Sequence, residues 1–167
     1  MKRKLFFILI AVATVFSACK KSEVEDVYNP TDDGLVGNWV SKGADVAPLL
    51  VNYFKVDSIT ANFQSNNTYK VVSYSKGVPT NYAGTFVQTK PASGAIWNIK
   101  LNQSTPTAVT SEGIFEITKV GQGYTMKYEV VQTEPNIGAT PPTAAAGFGS
   151  SSGGALGQMN VQKFVKR

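Results

Sequence analysis

From residue 34 onward apolar and polar residues alternate with period two, and this constrains the fold more than any other feature of the chain. Tyr124, Met126, Tyr128 and Val130 alternate with Thr125, Lys127 and Glu129. Ile59, Ala61 and Phe63 alternate with Thr60 and Asn62. Tyr82, Gly84 and Phe86 do so with Ala83 and Thr85, and Trp97, Ile99 and Leu101 with Asn98 and Lys100. Phe115 and Ile117 flank Glu116, while Tyr69 and Val71 run on into Val72 and Tyr74, where both faces are partly apolar. Alternation with aromatic and β-branched enrichment marks strands that bury one face. The breaks are turn-like: Ser65-Asn66-Asn67, Lys76-Gly77-Val78-Pro79, Lys90 to Gly94, and Gly121-Gln122-Gly123. Short breaks between consecutive strands imply antiparallel hairpins. With strands over 36–41 and 160–165 the total is about eight, the number whose closed barrel can hold one small ligand. The expected fold is all-β, an antiparallel up-and-down β-barrel over residues 34–167.

Two segments break the alternation. Pro48 to Phe54 has the length and the leading proline of a short helix, with Asp45 as its expected N-cap. Residues 134–158 are rich in Pro, Gly, Ala and Ser and offer little apolar surface, so they are expected to form a long loop that is either functional or disordered.

The N-terminus is organised differently. Lys2, Arg3 and Lys4 precede an apolar run from Leu5 to Val15, followed by Phe16-Ser17-Ala18-Cys19. A basic start, an apolar stretch and small residues at the end are the parts of a secretory signal. The run is shorter than the roughly 20 apolar residues that span a bilayer as a helix. Ser17, Ala18 and Cys19 resemble the lipobox of bacterial lipoproteins. The resemblance implies a signal peptide over 1–18, cleavage before Cys19, a diacylglycerol on its sulfur and an acyl chain such as palmitate on its amine. Residues 19–33 are polar, charged and unpatterned, as in a flexible tether. Lys20 is not the Asp that retains some lipoproteins at the inner membrane, and Glu23, Glu25 and Asp26 loosely resemble the surface-export signal of Bacteroidetes lipoproteins. The implied location is the outer membrane, lipid-anchored, on its periplasmic or cell-surface side.

Composition narrows the chemistry. The signal carries three of the 16 basic residues and none of the 11 acidic ones, leaving 13 − 11 = +2. The remaining lysines are spread singly, so no nucleic-acid surface is expected. The chain has no His and one Cys. This removes His-based zinc sites and the Ser-His and Cys-His nucleophile systems, and it removes disulfides. The scattered acids Asp57, Glu112, Glu116 and Glu129 form no glycosidase motif. No enzyme activity, metal or cofactor is expected.

Leu35-Val36-Gly37-Asn38-Trp39 resembles the Gly-x-Trp start of lipocalin-like families, and Ile59 to Phe63 with Thr68-Tyr69 and Tyr82 to Phe86 resembles the hairpins that follow. The resemblance covers roughly residues 34–165 and implies that Trp39 plugs one end of a lipocalin-like barrel. The Arg that stacks on this Trp in many lipocalins has no counterpart: outside the signal the only Arg is Arg167. Trp97, Ile99, Tyr124, Met126 and Tyr128 are the candidate interior wall for a ligand. Asp57-Ser58-Ile59 matches the short acceptor pattern of Bacteroidetes O-glycosylation, with Ser58 as the acceptor. The expected function is an outer-membrane lipoprotein that binds a small apolar or amphipathic molecule, monomeric and held to the membrane by its lipid. The rival is a structural or partner-binding surface lipoprotein with a packed core and no ligand.

Overall fold

The computed structural model describes residues 28–167. Cys19, the signal peptide and residues 19–27 of the expected tether lie outside them. The eight strands are β1 (Gly37–Lys42), β2 (Val56–Phe63), β3 (Thr68–Ser75), β4 (Val78–Thr89), β5 (Ile96–Thr105), β6 (Val109–Val120), β7 (Gly123–Glu134) and β8 (Gln162–Lys166). Each pairs antiparallel with its sequence neighbours, and β8 returns to β1, with Trp39 opposite Lys166 and Val40 opposite Val165. The sheet is therefore a closed, up-and-down, eight-stranded barrel. Closure gives every strand two neighbours, which suits a fold without disulfides.

The alternating residues all point inward. Trp39, Ile59, Ala61, Phe63, Tyr69, Phe86, Trp97, Ile99, Leu101, Phe115, Met126 and Phe164 form one buried cluster. At one end of the barrel lie the β2–β3, β4–β5 and β6–β7 turns and the incoming N-terminal segment. At the other lie the β1–β2, β3–β4, β5–β6 and β7–β8 connections, among them the two longest.

Four local expectations are corrected. Residues 28–33 are folded rather than part of the tether: α1 (Pro30–Asp33) follows Asn29, whose side chain accepts from the Thr31 amide, and Tyr28 packs against Trp39 and Tyr124. The helix α2 (Pro48–Phe54) forms where expected, but its N-cap is Ala47, because Asp45 is used in a preceding 3-10 turn over Gly43–Asp45. The β3–β4 turn contains only Lys76 and Gly77, since Val78 and Pro79 already pair with Ser75 and Tyr74.

The β7–β8 connection, residues 135–161, is not an unpacked loop. It runs as a strap over the outer face of the barrel. Glu129 faces outward from β7, yet it is fully buried, as is its register partner Ile114 on β6. The Glu129 carboxylate accepts from the amides of Gly149 (2.6 Å) and Ser151 (3.1 Å) and from the Ser151 hydroxyl. The Lys127 ammonium lies over the Phe148 ring, and the Asn160 amide donates to the Val130 carbonyl. Of the strap's apolar residues, Pro142 and Val161 are buried. Its main polar hold is on one buried carboxylate, which makes hydrogen bonds stronger than neutral ones.

Candidate functional site

The two ends of the barrel are built for different tasks. At the N-terminal end Trp39 is fully buried, and its indole N–H donates to the Leu35 carbonyl at 2.7 Å. Gln88 on β4 fastens the incoming chain, accepting from the Leu35 amide and donating to the Asp33 carbonyl. Lys166 on β8 occupies the cation position over Trp39. Its ammonium lies 4.8 Å from the Trp39 ring centre and 3.6 Å from that of Tyr28, and donates to the Val36 carbonyl at 2.8 Å. Burial lowers the Lys166 pKa, against which the nearby Asp33 charge works. The glycine before Trp39 now has a reason. Gly37 adopts φ +127°, and a Cβ there would lie 2.0 Å from the Lys166 nitrogen. Gly34, at φ +54°, would likewise drive a Cβ into the Gln88 side chain.

Above this plug the aromatic packing continues. Trp97 stacks on Phe115 at 5.5 Å, Phe63 meets Phe86 edge-on at 5.2 Å, and Tyr28 meets Tyr124 edge-on at 4.9 Å. Met126 is fully buried among them. This end is solid.

The opposite half is hollow. A cavity of about 250 Å³ lies within the barrel and opens beneath α2. Phe63, Tyr69 and Phe164 line its deeper part; Ile59, Ala61, Val71, Leu101, Tyr128 and Val130 form the walls; Ala47, Leu50, Tyr82, Gln103, Ser111, Asn160 and Gln162 complete the lining. Among the described residues no charged side chain lines it. Gln162 is buried and holds the roof: its carbonyl accepts from the Ala47 amide at 2.8 Å, and its amide donates to the Ser41 hydroxyl and the Asp45 carbonyl. α2 is thereby tied to β1 and β8 at its N-terminal side.

Of the expected interior wall, Tyr128 lines the cavity. Trp97, Ile99, Tyr124 and Met126 do not, although all four face inward. Alternation specifies the face of a strand, but height along the barrel axis decides whether an inward residue meets a void or the plug. Tyr69, Tyr82, Gln103, Ser111 and Gln162 were missed. The polar Gln162 on the otherwise inward, apolar face of β8 was the signal that could have marked it. Lys166 was missed because it is a Lys where an Arg was sought. Ser58 lies half-exposed on β2, its hydroxyl donating to Asp57 at 2.9 Å.

Burial pushes the Tyr69 phenol up to about 12. It raises Tyr128 further, with the neighbouring Tyr69 adding to the shift. Both phenols are neutral throughout the physiological range.

No protein-family model matches the chain, and neither the curated proteins nor the solved structures contain a match to it. Among the described residues no helix is long and apolar enough to cross a membrane.

Proposed function

We propose that this protein is an outer-membrane-anchored lipoprotein whose barrel binds a small apolar or amphipathic molecule, without covalent chemistry. The observation that carries the binding reading is the uncharged, largely apolar cavity of about 250 Å³ opening beneath α2. A concave apolar space with a few convergent polar groups is the usual form of a small-molecule site. The anchor reading rests on the apolar run ending in Cys19. In this reading the mouth faces away from the bilayer, because the chain enters the barrel at its plugged end. The nine residue steps from Cys19 to Tyr28 reach at most about 30 Å.

Two experiments test the two halves. Cys19→Ser should abolish incorporation of an alkyne-tagged fatty acid; labelling equal to wild type removes the anchor. A ligand that fills the cavity should raise the melting temperature by mass action, equivalent to about 2.7 kcal/mol at a hundredfold excess over its dissociation constant. Val130→Trp places an indole in the cavity and should keep the fold while abolishing that response. An unchanged response in the folded variant would mean that binding occurs elsewhere.

A second reading is favoured by a separate observation. Tyr53, Phe54 and Val78 are strongly exposed apolar side chains at the mouth end. They are neighbours, since the Ser75 hydroxyl donates to the Phe54 carbonyl and Ser75 pairs with Val78. A protein partner docking on this rim would make the molecule a partner-binding surface lipoprotein. That reading gains if no small molecule raises the melting temperature.

A further inference from the structure

We infer that the cavity selects a compact, neutral ligand carrying a hydrogen-bond acceptor, which the hydroxyls of Tyr69 and Tyr128 hold from within the barrel. The inference rests on the cavity being a binding site and adds the chemistry of what it takes.

Three observations converge. The first is the state of the two phenols. Both residues line the cavity, from β3 and from β7. Neither hydroxyl bonds to another described residue, yet no fully buried side-chain nitrogen or oxygen among those residues lacks a partner. The two hydroxyls are therefore accessible rather than sealed in packed protein, and the cavity that both residues line is the open space beside them. Their rings are held by aromatic neighbours that line the same cavity: Tyr69 lies 6.0 Å from Phe63, and Tyr128 meets Phe164 edge-on at 6.0 Å. A rigid donor aimed into an apolar space is costly to leave dry and unpaired, and an acceptor on the ligand satisfies it.

The second is charge. Among the described residues no Lys, Arg, Asp or Glu lines the cavity. A carboxylate or ammonium entering it would lose its hydration with no opposite charge to meet, which is strongly unfavourable. Fatty-acid anions and amines are thus excluded by the same walls that admit a ketone, ester, lactone or ether.

The third is size. A dry apolar cavity of about 150 Å³ holds benzene, and drug-sized ligands occupy pockets of about 300 Å³ and more. At about 250 Å³ the space suits one ring or a fused pair. A sterol, a haem or a long acyl chain exceeds it.

The test compares three bicyclic probes: α-tetralone (ring ketone), tetralin (the same rings without oxygen) and naphthoate (an aromatic bicycle bearing an anionic carboxylate). They are titrated into the lipidated chain held in nanodiscs, with empty discs subtracted. A net hydrogen bond predicts that tetralone binds up to about tenfold more tightly than tetralin. Naphthoate should bind most weakly. In the double variant Tyr69→Phe, Tyr128→Phe the preference for tetralone should vanish while tetralin binds as before. Infrared spectra of wild type need no variant, and the bound ketone's carbonyl stretch should move to lower frequency, as a hydrogen-bonded carbonyl does. Equal binding of tetralone and tetralin with an unshifted carbonyl overturns the acceptor inference and leaves the cavity a site for plain hydrocarbons. Tightest binding by naphthoate overturns the neutrality. Absence of binding and of any melting shift by all three overturns the binding function itself.

Discussion

Trp39 and Lys166 show how much one side chain settles. The indole fills the plugged end, its N–H is spent on the Leu35 carbonyl, and the ammonium of the opposite strand covers its ring. Replacing Trp39 by Ala removes this packing and leaves the Leu35 carbonyl without its partner. We expect Trp39→Ala to cost about 3–5 kcal/mol, read as a lower denaturation midpoint at unchanged slope. An unaltered midpoint would mean that the plug contributes nothing to the barrel. The Gly-x-Trp pattern was legible in the sequence, and so was the burial of the Trp. That a Lys near the end of the chain supplies the covering cation was not, because only strand closure brings residues 39 and 166 together.

At the scale of elements the strap and α2 carry the lesson. The strap's Pro, Gly, Ala and Ser composition suggests little burial, yet Pro142, Ser151 and Val161 are buried. Its order comes from a partner it does not contain, the Glu129 carboxylate on β7. Glu129→Ala should therefore release the strap while leaving the barrel paired. Hydrogen bonds to a charged group contribute about 1.5–3 kcal/mol, and we expect a loss of that order. In hydrogen exchange the Gly149 and Ser151 amides should lose protection while the β5 and β6 amides keep theirs. Fast exchange at Gly149 and Ser151 already in the wild type would contradict the latch. The short helix α2 was legible from its leading proline and length. Its role as the roof of the cavity was not, since that depends on Gln162 reaching Ala47 from the other end of the chain.

For the whole molecule the buried phenols tie stability to alkaline pH. In the unfolded chain a Tyr titrates near 10. Burial raises Tyr28, Tyr69 and Tyr128 in the folded state, Tyr69 to about 12. Between these values the unfolded chain has released protons that the folded one retains, so stability falls as pH rises. The stabilisation is complete below pH 10, and the part from Tyr69 is lost as the pH climbs through 12. Lys166, whose pKa is lowered by burial, acts oppositely, but only below its ordinary value of 10.5. Denaturant unfolding from pH 9 to 12 should show the midpoint declining above pH 10, with a shallower decline in Tyr69→Phe. A flat profile would show that these phenols are not buried.

The sequence by itself determined the number of strands, their antiparallel order and which residues turn inward. These follow from local alternation and short turns, which act within a few residues. Only the tertiary structure decided which inward residues meet empty space. Trp97, Tyr124 and Met126 obey the same period as Tyr128 and Val130, yet they lie at the height where Trp39, Phe115 and Tyr28 fill the barrel. Tyr69 and Tyr128 line the space where the opposing walls do not meet. That height is set by the register of eight strands around a closed circuit, and no single strand carries it.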